Sequence, residues 1–177
     1  MKDKTLNVFD FDDTLFRIPN HTTDLSFDLN DDVHTWYDNP ISLDYEKYRV
    51  QLISTIADYV SNAGEDDTTI ILTKRVPKLI PHIQRLLDLH GVVVESIIAI
   101  GHEGHKFEVI NEYTETCEYN RVRIFEDSLV QVVEYNLNLE RPNYIDFEFF
   151  FVDKTHILKL LTIDAFIVNK LTLHDSK

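Results

Sequence analysis

Four apolar runs in this chain end in residues able to do chemistry. Val8-Phe9-Asp10-Phe11-Asp12-Asp13 places three carboxylates where packing asks for apolar side chains, and Arg121-Val122-Arg123-Ile124-Phe125 ends in Glu126 and Asp127. Between them, Thr73 closes Thr-Thr-Ile-Ile-Leu, and Lys106 follows a third run and the short loop Gly-His-Glu-Gly-His. Clustered carboxylates repel one another and are costly to desolvate unless a cation or a proton relieves them. Carboxylates brought together from separate strand ends suit Mg²⁺, which takes oxygen ligands and keeps several waters. A carboxylate beside such an ion can attack phosphorus. A second one, two residues on in an extended chain, points the same way and can pass a proton to the leaving oxygen. A hydroxyl and an ammonium then hold the phosphoryl oxygens as charge builds. The set reads as a metal-and-phosphate site.

The elements that must position these residues alternate along the chain. Thr5–Phe11 and Thr68–Thr73 are apolar runs suited to buried parallel strands, and Val92–Ile100, Arg121–Glu126 and Tyr144–Val152 supply three more. Helical spacing joins Tyr45, Tyr48, Leu52, Ile56, Tyr59 and Val60 into one helix over Leu43–Ser61. Further helices are predicted from the region of Pro77 and Pro81 to Gly91, over Lys106–Glu118 and over Ser128–Leu139. Ile157–Leu173 is apolar throughout and reads equally as a closing helix or a strand pair. This alternation predicts an α/β fold: a doubly wound, mainly parallel, Rossmann-like sheet in one domain over residues 1–177, with a small polar insertion at about 17–42. Ligands of such sheets sit beyond the carboxyl ends of the strands, where the reactive residues fall.

Composition narrows the partners. The 177 residues are 44% apolar and 11% aromatic, with 31 acidic against 17 basic side chains, a net charge of −14. That balance argues against a general electrostatic grip on nucleic acid or an anionic membrane, though not against a local basic pocket. Cys117 is the only cysteine, which excludes a disulfide framework and a cysteine-rich zinc site. The start, MKDKTLNVFDFDD, lacks the apolar core of a secretion signal, and FEFFFV, the densest apolar run, is far too short to span a membrane. The expected location is cytoplasmic.

DFDDT, then ILT, then Lys106, then FEDS, in that order, resembles the haloacid dehalogenase superfamily of phosphotransferases over about residues 5–152. The resemblance implies that Asp10 is the nucleophile and Asp12 the general acid and base. It further implies that Thr73 and Lys106 bind phosphate, that Thr14 braces the first loop, and that Mg²⁺ is held by Asp10, the backbone carbonyl of Asp12, Glu126 and Asp127. DFDDTLFRIPN, the later WYDNP, and LTKR where relatives carry LTGR are similar to one branch, the Swiss Army Knife RNA repair-like domains linked to RNA end processing. Lys74 stands where that branch has glycine, and FEDS lacks the small residues that commonly follow. The implied activity is a Mg²⁺-dependent phosphomonoester hydrolase working through an aspartyl-phosphate on nucleic-acid or nucleotide phosphate ends. The alternatives are a phosphatase of small metabolites and a catalytically silent metal-binding module.

Several residues carry a plainer reading beside the chemical one. Lys74 is a candidate contact to substrate phosphate, but with Arg75 it reads first as a solvated pair at a helix start. Asp13 suits a loop cap or a substitute for glycine better than a third metal ligand. The histidines of GHEGH lie three apart in a Gly-containing loop, not four apart on a helical face as HExxH requires. Trp36 and Tyr37 fit the core of the insertion better than a base-stacking platform. Members of the resembled superfamily usually cover small substrates with a cap domain. The roughly thirty residues left here after the first crossover helix are too few for a full one, so an open mouth is expected.

Overall fold

The computed structural model describes residues 4–19, 36–116, 119–153 and 156–160. Strand β1 (Thr5–Phe9) is buried along its whole length and lies at the centre of a six-stranded sheet. Its neighbours are β4 (Thr68–Thr73) on one side and β6 (Arg121–Glu126) on the other, both parallel to it. β5 (Ser96–Ala99) adds to β4 in parallel and β7 (Asp146–Asp153) to β6. Only β8 (His156–Leu160), paired with β7, runs antiparallel. The order is β5-β4-β1-β6-β7-β8, a mainly parallel, doubly wound α/β sheet.

Alternation along the strands sends side chains to two cores. Leu6, Val8, Ile70, Leu72, Val122, Ile124, Phe149 and Phe151 pack on one face, under α4 (Lys106–Thr116) and α5 (Leu129–Asn138). Phe9, Ile71, Phe125 and Phe150 occupy the other face with α2 (Ser54–Ser61) and α3 (Ile80–His90). On that face Phe9 stacks on Phe125 at 4.4 Å and Phe125 on Phe150 at 4.5 Å. This aromatic ladder ties β1, β6 and β7 together at about 0.5–1.5 kcal/mol per pair beyond simple burial. Pro81 sits in the first turn of α3, and Gly91, at φ 66, closes it in the left-handed conformation that glycine adopts without strain.

The helix predicted over Leu43–Ser61 is broken. A 3₁₀ turn (Pro40–Leu43) leads into α1 (Tyr45–Tyr48), which ends at Arg49 with φ 53; β3 (Gln51–Leu52) follows, and only then α2. Asp44 caps α1 through the N–H of Lys47. β3 pairs antiparallel with β2 (Phe16–Arg17), and the N–H of Ile53 donates to the carbonyl of Leu15. Tertiary pairing with the segment after β1 thus overrides a helical pattern that was continuous by coincidence of spacing. Most of the insertion expected at about 17–42, and residues 161–177, lie outside the described residues. The first part of Ile157–Leu173 is strand. No helix among the described residues is long and apolar enough to cross a membrane.

Candidate metal and phosphate site

From the central β1 the chain turns first to β4 and β5, then returns to β6 and β7, which opens a crevice at the carboxyl ends of β1 and β6. Asp10 enters it directly: its N–H continues the ladder to the carbonyl of Phe125 at 3.0 Å, and its side chain meets Lys106, the first residue of α4. Lys106 Nζ donates to Asp10 Oδ1 at 2.6 Å and to Glu126 Oε2 at 2.8 Å. That ammonium is 2% exposed, a depth at which lysine is found only when paired. Glu126 is held on every side. Its Oε1 accepts from the N–H of Ser128 at 3.0 Å, and its Oε2 also accepts from the Tyr135 hydroxyl at 3.3 Å. Thr14, fully buried, donates its hydroxyl to Asp127 Oδ1 at 3.3 Å and so braces the first loop against the end of β6.

One carboxylate oxygen from each of Asp10, Glu126 and Asp127 lies within 4.8 Å of the others, so this buried acidic cluster is able to hold a metal ion. The electrostatics are those of carboxylates crowded together out of water. Burial pushes the Asp10 carboxyl up to about 7; Lys106 pulls against it, and the charges of Glu126 and Asp12 push with burial. Burial likewise raises Asp127 to about 9, with Asp10, Glu126 and Asp13 adding to the shift and Lys106 opposing it. Burial works to lower Lys106, but Asp10 and Glu126 overcome it and hold the ammonium well above its ordinary range. The cavity around these groups, about 360 Å³, is lined by five carboxylates and three cations, a formal excess of two negative charges. A divalent cation would cancel that excess.

Asp12 is not part of the three-oxygen cluster. Arg75 takes both of its oxygens: Nε donates to Oδ1 and Oδ2 at 3.0 Å, and Nη2 to Oδ1 at 2.7 Å. The remaining guanidinium nitrogen donates to the carbonyl of Tyr37 at 2.7 Å and to the Ser42 hydroxyl at 2.9 Å. Arg75 is 1% exposed, so its reading as half of a solvated pair is corrected. It is a buried strut that ties the DFDD loop to Tyr37 and Ser42, at the far end of the insertion. The available signal was its place, two residues past the end of the strand beside β1 and short of the helix, which starts only at Ile80. Lys74 does line the cavity, with Nζ donating to the carbonyl of Gly104 at 2.7 Å.

Thr73 ends β4 as expected and is 1% exposed, yet it does not line the cavity; its hydroxyl oxygen accepts from the N–H of Arg75 at 3.2 Å. Asp13 adopts φ 56 and its Oδ1 accepts from the N–H of Ile18, the loop cap that its sequence position suggested. Trp36 is fully buried, its indole N–H donating to the carbonyl of Pro19, while Tyr37 reaches the cavity and lies over the Arg75 guanidinium at 5.3 Å. His102 bonds Asp38 at 2.8 Å and His105 bonds Glu134 at 2.6 Å; among the described residues no histidine joins the acidic cluster. A larger cavity, about 800 Å³, lies between residues 40–46 and α3 and holds none of the strand-end residues. Comparison of the chain with protein-family models, with curated proteins and with solved structures finds no match.

Proposed function

We propose that this chain is a Mg²⁺-dependent phosphomonoester hydrolase of haloacid dehalogenase type, working through an aspartyl-phosphate on Asp10. The observation that carries the reading is the convergence of Asp10, Glu126 and Asp127 oxygens within 4.8 Å, with Lys106 Nζ 2.6 Å from Asp10, at the crevice of a doubly wound sheet. All three donors are hard carboxylate oxygens, which fits Mg²⁺ and disfavours softer transition metals. Asp10 and Asp127 keep open lone pairs for the ion. Glu126 already accepts from Lys106, Ser128 and Tyr135, so its main work is to orient Lys106. When bound, the ion neutralises phosphoryl oxygens and orients the ester.

The chain's own residues supply the rest. Lys106 fixes Asp10 through Oδ1, which leaves Oδ2 to attack phosphorus as the bond to the ester oxygen breaks. Lys74 spends one N–H on Gly104 and has others to offer the phosphoryl oxygens. Asp12 is the proton carrier: it delivers a proton to the departing alkoxide, then takes one from the water that attacks phosphorus, restoring Asp10 and releasing inorganic phosphate. Both Asp12 oxygens accept from Arg75, so each transfer requires that pair to open. The test is Mg²⁺-dependent phosphate release from an aryl phosphate by wild type and Asp10→Asn, each verified as folded. Release by wild type alone, with a loss of at least about 10³-fold in the variant, supports the mechanism; equal rates would sink it.

A further inference from the structure

We infer that the substrate is a compact phosphomonoester whose alcohol part is uncharged or cationic, and that polynucleotide ends are excluded by charge; this rests on the phosphohydrolase reading above. A phosphorylated strand end arrives with its neighbouring phosphates, and proteins that accept it lay Lys and Arg along their path. Here the cations are committed elsewhere. Lys106 is taken by Asp10 and Glu126, Arg75 by Asp12 and the Tyr37 carbonyl, and Lys74 in part by Gly104. One divalent ion brings the lining of the cavity to neutrality and leaves no positive surplus for a second phosphate.

The space for a leaving group points the same way. A second cavity, about 430 Å³, shares Asp13 and Asp127 with the first. Ile18, Phe151 and Val152 give it apolar walls, and its one cation, Arg17, is countered there by Asp153 as well as by the shared Asp13. With three carboxylates against one guanidinium, this lining suits a single uncharged or cationic alcohol and is on balance repulsive to a phosphodiester backbone. The described chain beside the mouth adds to the bias. Residues 36–46 carry three carboxylates and neither lysine nor arginine. They are anchored at the site: Trp36 bonds Pro19, the Tyr37 carbonyl accepts from Arg75, and Asp38 bonds His102 on the cavity wall. A polyanion approaching this mouth is repelled, with a strength that salt screens.

The sign of the salt dependence is therefore the test. With wild-type protein and MgCl₂, kcat/KM is measured at about 50 and about 500 mM salt. The substrates are an aryl phosphate, an aminoalcohol phosphate, nucleoside 3′- and 5′-monophosphates, and 3′- and 5′-phosphorylated oligonucleotides. The small uncharged or cationic esters are expected to exceed the oligonucleotides by at least roughly tenfold at low salt, with the gap narrowing as salt rises. A preference for oligonucleotides, or oligonucleotide turnover that falls with salt, overturns the substrate assignment alone. Phosphate release from none of the esters overturns the phosphohydrolase reading and the assignment with it. Fluorescence anisotropy of a labelled 5′-phosphorylated oligonucleotide in Mg²⁺ tests the charge argument without turnover. No saturation in the micromolar range supports exclusion, and submicromolar binding weakened by salt contradicts it.

Discussion

Replacing Asp127 with asparagine removes an ionisable carboxyl from the crowded crevice and keeps the Oδ1 acceptor that the Thr14 hydroxyl uses. In the metal-free protein that carboxyl stands at about 9 against an ordinary 3.8. Each unit of such a shift is worth about 1.4 kcal/mol, so near pH 7 the cost of folding around Asp127 is on the order of 4 kcal/mol. Solvent reaches part of this side chain and screens it, which leaves about 2 kcal/mol. The sign follows from protons: the folded state holds one that the unfolded chain releases between pH 3.8 and about 9. Wild-type stability in EDTA therefore falls across that window, and the advantage of Asp127→Asn is smallest near pH 4 and largest near pH 9. For a chain of this length the gain corresponds to roughly 4–8 °C in Tm. Saturating Mg²⁺ supplies the missing positive charge, so it raises the Tm of wild type and much less that of the variant. Thermal unfolding followed by circular dichroism in EDTA and in MgCl₂, across this pH range, reads all of these effects. A variant less stable than wild type in EDTA near pH 8, or an equal metal response in both proteins, would refute the electrostatic account of the crevice.

Three further outcomes follow from the same contacts. Lys106→Met leaves Asp10 and Glu126 buried without their shared ammonium and is expected to cost about 3–5 kcal/mol in urea unfolding; a cost below about 1 kcal/mol would mean that the two carboxylates find relief elsewhere. Arg75→Ala strips Asp12, the Tyr37 carbonyl and the Ser42 hydroxyl of their donor and should cost a similar amount, with Arg75→Lys recovering only part because an ammonium cannot reproduce the fork. An unchanged urea midpoint for Arg75→Ala would show that the strut carries no stability. Because Asp127 is raised to about 9, Mg²⁺ must displace its proton near neutrality. Calorimetry in buffers of different ionisation heat should therefore show proton release at pH 7 that fades above pH 9, with affinity rising as pH rises; affinity independent of pH would contradict the shift.

The parts of this molecule that depend on local pattern were legible before any coordinates. β1, β4, β6 and β7 are short, apolar and bounded by polar residues, and their alternation with helices implies a parallel sheet whose carboxyl ends carry the chemistry. The approach of Asp10, Lys106, Glu126 and Asp127 follows from that topology alone, since each ends or follows a strand. What depends on pairing between distant segments was not legible. The Tyr45–Val60 pattern is helical in spacing, yet the β2–β3 pair and the left-handed Arg49 split it, and neither leaves a periodic trace. Arg75 looks like a surface cation because arginine usually is one. Its burial depends on Asp12 lying 63 residues away and Tyr37 lying 38 away. Thr73 shows the converse: its type and place match a phosphate contact, while its hydroxyl is turned to the backbone of Arg75.

The central claim is a covalent bond between Asp10 and phosphorus, and a single-turnover reaction tests it most directly. Protein, Mg²⁺ and an aryl phosphate are mixed, quenched in acid within the first turnover, digested, and read by mass spectrometry for phosphate on the peptide that contains Asp10. The account requires a phosphoryl group on Asp10 that appears only with Mg²⁺ and is absent from Asp10→Asn. Phosphate released into solution with Asp10 never modified, or a phosphoryl group on another residue, would contradict it.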